Sequence, residues 1–111
     1  MAEVWTYRPT DDTVVTMIRR IVMFKKKPDA GLTDFVGALT DLKTLDSRMS
    51  GMSSWWVDIA PGRDGLWDAV LVAEFPNAEI VEAYNSHPEH HAVASRIGSL
   101  ADVAIFDSTI D

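Results

Sequence analysis

The chain of 111 residues contains no cysteine. That single absence removes disulfide scaffolding, a thiolate nucleophile and any zinc-thiolate centre. Long apolar runs are missing as well. Stretches without a polar member, such as AVLVA at 69–73, fall far short of the roughly 20 residues a transmembrane helix needs, so no membrane partner is expected. The N-terminus (MAEVW) has neither a basic region nor an apolar segment after it, which places the protein in the cytoplasm as a sequence expectation. Positive charge is scarce: ten Lys and Arg stand against seventeen Asp and Glu, a formal charge of −7. Such a surface repels phosphates, and nucleic acid is not an expected partner. No GxSxG elbow, P-loop or GxGxxG turn occurs, leaving hydrolase, NTPase and dinucleotide chemistry without support, and no cofactor is expected.

What is present suits one globular domain: 47% apolar and 24% charged residues, with six Gly and five Pro. Residues 1–16 read as an extended arm, with Arg8-Pro9 and a polar turn at 10–13; Trp5 and Tyr7 are its large side chains. The folded unit then spans 17–111. Residues 17–27 (MIRRIVMFKKK) form a strand stopped by Pro28, with Arg20, Val22 and Phe24 on one face and Ile21, Met23 and Lys25 on the other. Leu32, Phe35, Val36, Leu39, Leu42 and Leu45 recur at helical spacing, with Thr33 or Asp34 as the cap. Residues 53–59 and 66–75 read as a hairpin around Pro61-Gly62 and Arg63-Asp64-Gly65. Asn77 caps a second helix that pauses at Ser86-His87-Pro88 and resumes, and 102–110 alternate as a last strand. The order β-α-β-β-α-β is the ferredoxin-like α+β topology, a sheet with helices on one face. Ile21 and Met23 line the other face. Its economical cover is the same face of a second copy, which predicts a homodimer.

Three stretches carry a resemblance to a known family: 18–27 (IRRIVMFKKK), 68–75 (DAVLVAEF) and 83–91 (AYNSHPEHH), the last with the HPxH signature at His87, Pro88 and His90. In order and spacing the chain resembles the stress-responsive A/B barrel (Dabb) proteins of the dimeric α/β barrel superfamily over roughly 17–107. The resemblance implies a ferredoxin-like subunit whose sheet pairs with a partner's to form a dimeric α/β barrel. The family includes a plant polyketide cyclase, whose catalytic tyrosine and second HPxH histidine fall on Tyr84 and His90. A further histidine of that enzyme falls on Arg20, a departure, because an arginine does not serve as a neutral acid or base.

The resemblance and strand parity together predict a pocket between the first helix and the sheet. Val22, Phe24, Phe35, Leu39 and Leu71 line it, with Arg20, Tyr84 and His90 as polar groups. The start of a helix keeps the His90 ring neutral as a base, and Tyr84 orients it or donates to a carbonyl. The alternative is that His90 bonds backbone or Asp68. Arg20 calls for an anion: either an anionic aromatic or polyketide-like ligand, or an internal carboxylate such as Asp58. If catalytic, these groups permit cofactor-free cyclase, isomerase or lyase chemistry by proton abstraction beside a carbonyl. A non-catalytic, stress-associated ligand-holding dimer stands beside that reading. His87 is assigned to the turn; the HxxHH spacing offers no third metal ligand, and no metal is expected. Of the adjacent Trp55 and Trp56, one belongs to the core and one to the dimer face. Lys25, Lys26 and Lys27 read as a solvated strand end rather than a phosphate cluster.

Overall fold

A computed structural model describes residues 16–60 and 66–110. The expected arm, up to residue 15, and the turn at 61–65 lie outside the described residues. The elements are β1 (Met17–Lys26), α1 (Leu32–Lys43), a 3-10 turn (Leu45–Arg48), β2 (Ser54–Ile59), β3 (Ala69–Phe75), α2 (Ala78–Ser86), α3 (Pro88–Gly98) and β4 (Ala101–Ile110). They form a ferredoxin-like α+β fold, an antiparallel sheet in the order β2-β3-β1-β4 with helices on one face. β1 is therefore interior. The three lysines at its end keep solvent exposure and also bond carbonyls: Lys25 Nζ donates to that of Leu66, Lys26 Nζ to those of Lys27 and Ala30, and Lys27 Nζ to that of Gly98. These bonds tie the end of β1 to the loops at residues 27–30 and 66 and to the end of α3.

Strand alternation sorts the side chains by face. Val22 and Phe24 of β1 and Ala69, Leu71, Ala73 and Phe75 of β3 are buried beneath the helices, with Phe35, Leu39 and Leu42 of α1 packed on them. Ile21, Met23, Val70 and Val72 point the other way and are half-buried, while Trp56 and Phe106 on that face are 53% and 61% exposed. Trp55 packs on the core, its indole N-H donating to the Leu42 carbonyl at 3.0 Å.

Two further expectations need correction. α1 starts after Gly31 with no side-chain cap; Thr33 and Asp34 lie inside its first turn, where Asp34 complements the helix dipole. β3 begins at Ala69 rather than at residue 66. Leu66 and Trp67 are exposed, and the buried Asp68 carboxylate accepts the Lys26 backbone N-H at 2.8 Å. A carboxylate thus occupies the ladder position where a strand carbonyl was expected. The Asn77 cap is as read: its Oδ1 accepts the Ile80 N-H at 3.0 Å.

Candidate functional site

The site grows out of the break between α2 and α3. Pro88 has no N-H and occupies the first turn of α3, while His87 before it is extended (φ −74°, ψ 134°). In an unbroken helix the Glu89 N-H would bond the Asn85 carbonyl four residues back. Here it bonds His87 Nδ1 at 3.0 Å, so His87 caps the turn. The Asn85 carbonyl is left for a side chain, and His90 Nδ1 meets it at 3.3 Å. A carbonyl only accepts, so Nδ1 carries the proton and Nε2 keeps its lone pair.

The neutral ring expected of His90 has a different main cause from the one expected. Burial lowers its pKa most; the Asn85 bond pulls it back up, and His91 and Arg20 push it down again. Asp68 is engaged with the Lys26 backbone and is not its partner. Tyr84, 4% exposed, packs against His90 (ring centroids 4.3 Å apart), Phe75 (5.4 Å) and Trp55 (5.7 Å). Burial pushes its hydroxyl up to about 12, against the opposing pull of Arg20. Among the described residues no hydrogen bond engages that hydroxyl and no buried side-chain polar atom is left unpartnered, so it opens to the adjoining cleft.

Arg20 is committed elsewhere. Nε and Nη2 grip both oxygens of Asp107 at 2.8 and 3.0 Å, and Nη1 donates to Asn85 Oδ1 at 2.9 Å. The fork raises the Arg20 pKa, with the Asp107 hydrogen bond outweighing burial. Arg20 and Asp107 face each other directly across the β1/β4 ladder, which puts both on the helix side. Asp58 pairs with Val70 on the opposite side of the sheet and is not the partner. Neither Asp107 nor Asn85 was singled out from the sequence. Their signals, a polar residue in an apolar last strand and one before a helix break, are too common to read alone.

The cleft holds about 490 Å³ of empty space, its mouth included. Of the residues expected to line it, Arg20, Val22, Phe24, Leu71, Tyr84 and His90 border it; Phe35 and Leu39 do not, being 0% exposed in the core. The position explains the difference. α1 lies toward the β2 side of the sheet and reaches the cleft only through Leu42 near its end, whereas the cleft opens between α3 (Val93, Ala94 and Ile97) and the sheet and ends on the exposed Val103 and Ile105 of β4. Its walls are mainly apolar, and polar chemistry gathers at the Tyr84, His90 and Arg20 end. Among the described residues no group of three His, Asp or Glu side chains is placed to hold a metal.

Sheet order, one-sided helices and a cleft beneath the last helix define a ferredoxin-like α+β protein. More specifically, the chain belongs to the stress responsive A/B barrel domain family (Dabb), whose family model matches residues 18–110. A dimeric ferredoxin-like protein of unknown function from Thermobifida fusca is similar in structure (TM-score 0.76, 20% identity, 86% of this chain and 92% of that one). A dimeric protein of unknown function and ferredoxin-like fold from Bacteroides fragilis is similar too (TM-score 0.71, 23% identity, 85% and 96%). So is a hydroxynitrile lyase from Passiflora edulis (TM-score 0.74, 14% identity, 86% and 94%). At these identities the likeness is one of fold. A comparison with curated protein sequences finds no match. No described helix is long and apolar enough to cross a membrane.

Proposed function

We propose that this protein is a homodimer, paired through the open sheet faces, whose cleft binds a small aromatic or polyketide-like carbonyl compound and moves a proton beside the carbonyl without a cofactor. The dimer rests on the apolar face of Ile21, Met23, Val70 and Val72, crowned by the exposed Trp56 and Phe106. The dimeric relatives support it. Pairing of two such faces buries on the order of 1,600 Å² or more.

One observation carries the chemistry: a neutral His90 with Nδ1 tied back and, among the described residues, no partner on Nε2 stands beside a Tyr84 hydroxyl likewise unengaged among them, at the polar end of an apolar cleft. In the proposed step His90 Nε2 removes a proton from the carbon next to the carbonyl. The electron pair moves into the C-C bond and onto oxygen, where the Tyr84 O-H donates a hydrogen bond. Where the ligand carries a carbon-carbon double bond conjugated to the enolate, return of the proton from His90 to the far carbon of that double bond completes an isomerisation. Alternatively the enolate carbon attacks a second carbonyl of the same molecule, and His90 returns its proton to the new alkoxide, completing a cyclisation. The likeness to a hydroxynitrile lyase keeps lyase chemistry within the same class. An anionic group on the ligand would share Arg20 with Asp107, so affinity rests on the apolar walls more than on charge.

The second reading, a ligand-holding dimer without turnover, is favoured by that same closed Arg20-Asp107 pair. The experiment titrates the protein with small aromatic acids and β-dicarbonyl compounds, following tryptophan fluorescence through Trp55, while deuterium uptake at the acidic carbon is read by NMR in D2O. Exchange that disappears in His90→Ala and Tyr84→Phe supports catalysis. Saturable quenching without exchange supports holding, and neither signal with any probe rejects the cleft as a site.

A further inference from the structure

The strongest unassigned feature is the strap that joins β1, β4 and α2 behind His90. Asp107 on β4 holds the Arg20 fork at 2.8 and 3.0 Å, and Arg20 holds the Asn85 side chain at 2.9 Å. Asn85 in turn presents its backbone carbonyl to His90 Nδ1 at 3.3 Å. Asn85 is next to last in α2, directly before the Ser86-His87-Pro88 break, where carbonyls have no intrahelical partner and helix ends fray.

We propose that Asn85 and Asp107 are positioning residues for His90: through Arg20 they pin the end of α2 to the sheet, so that the Asn85 carbonyl holds His90 in the one tautomer that leaves Nε2 free to act as base. The inference rests on the catalytic reading of the cleft for its purpose, and on side-chain geometry alone for its mechanism. Two physical effects are combined. A carbonyl fixed at the helix end selects the Nδ1-H form, as a partner on one ring nitrogen dictates the state of the other. Asp107 also neutralises Arg20, so that the cleft keeps a hydrogen-bonding anchor without a bare positive charge beside His90. The charged and titratable groups acting on the ring are His91 and Arg20, and the Tyr84 ring packs against it at 4.3 Å; Glu89, its other near neighbour in sequence, is turned to Arg48 at 3.0 Å.

The strap also explains how an arginine is accommodated where the resembling cyclase has a histidine. It supports the base from behind rather than joining the reaction.

The test is ¹⁵N-¹H correlation of the histidine ring nitrogens in Asn85→Ala, Asn85→Asp and Asp107→Asn, without any ligand. In the parent, His90 shows the Nδ1-H pattern. Asn85→Ala shifts the tautomer ratio by about five-fold toward Nε2-H, the loss of one ordinary hydrogen bond's preference. Asn85→Asp, which still accepts from Arg20, restores the Nδ1-H pattern. Asp107→Asn leaves Arg20 uncompensated and moves the His90 titration midpoint further down. If Asn85→Ala fails to fold, Asp107→Asn alone decides. A parent-like tautomer ratio in Asn85→Ala, or a parent-like midpoint in Asp107→Asn, overturns the inference. Since the readout needs no substrate, it is separable from the proposed function: a shifted tautomer with no ligand exchange sinks the reaction and keeps the strap, whereas normal exchange in a folded Asn85→Ala protein with an unshifted ring sinks the strap and keeps the reaction.

Discussion

Removing a single oxygen from Tyr84 separates a structural from a chemical role at the cleft. In the folded chain the Tyr84 hydroxyl titrates at about 12 against an ordinary value of 10, chiefly because burial disfavours the phenolate. The raised value means that the folded state keeps its proton while the unfolded state gives it up. Between pH 10 and about 12 the unfolded chain therefore binds fewer protons, and stability falls as pH rises through that window. Two pH units correspond to about 3 kcal/mol at the top of the range. Tyr84→Phe removes this loss. At pH 7 the substitution is expected to cost under about 0.5 kcal/mol, because the ring keeps its contacts with Phe75, Trp55 and His90 and no protein partner is orphaned. Urea unfolding of both proteins at pH 7, 10, 11 and 12 gives the comparison, and their difference cancels lysine titration common to the two. Parallel stability curves from pH 10 to 12 would refute the buried-hydroxyl argument. A loss above about 1 kcal/mol at pH 7 would show that the hydroxyl is a structural hydrogen-bonding group, and the catalytic assignment would fall with it.

The His90 pKa is shifted down from 6.5, so the unfolded chain takes up its proton first as pH falls; stability present above pH 6.5 declines below it, and His90→Gln flattens that decline in urea midpoints measured from pH 5 to 8. Asp107→Ala strands an Arg20 side chain that is only 12% exposed and is expected to cost about 2 kcal/mol in the same assay, whereas a combined Arg20→Met, Asp107→Leu protein recovers most of it; equal stability of Asp107→Ala and parent would refute the pairing. Trp56→Lys places a charge in the open sheet face, and under the proposed pairing sedimentation is expected to show a 12.3 kDa species for the variant and twice that mass for the parent; a parent that also runs at 12.3 kDa would refute the pairing. Gly51→Ala is expected to lower stability by about 1–2 kcal/mol, since Gly51 has φ 104° and an added Cβ would sit 3.0 Å from Ile80 Cγ2; an unchanged thermal midpoint would contradict it.

Strand parity made much of this legible from the chain alone. Arg20, Val22 and Phe24 were placed together against the helices because alternation is a local property of β1, and the break at Ser86-His87-Pro88 followed from proline geometry. The partner of Arg20 was not legible. It lies 87 residues away, and only the β1/β4 register brings Asp107 opposite; a chain read in order offered Asp58 with equal right. Phe35 and Leu39 show a second limit. Helical spacing marks a residue as inward, but whether it meets a void or another side chain depends on where across the sheet its helix lies. The start of β3 failed for a related reason: Leu66 and Trp67 continue the apolar pattern, while the tertiary bond from Asp68 to the Lys26 backbone ends the ladder.

The sheet order has a consequence for how the molecule comes into being. β1 is the first of the four strands to be translated and β4 the last, yet the two lie side by side over their full lengths, from Met17 opposite Ile110 to Lys26 opposite Ala101. During synthesis β1 can pair with β3 only, and its other edge stays open, with Val22 and Phe24 unsheltered on that flank, until β4 leaves the ribosome. The Val103 and Ile105 wall and the Arg20-Asp107 grip arrive in that same final step. A chain whose β4 is not yet paired has an open β1 edge and an unfinished cleft, the arrangement that invites edge-to-edge association. The far wall of the cleft and the cover of the β1 edge are supplied together, by one ten-residue strand.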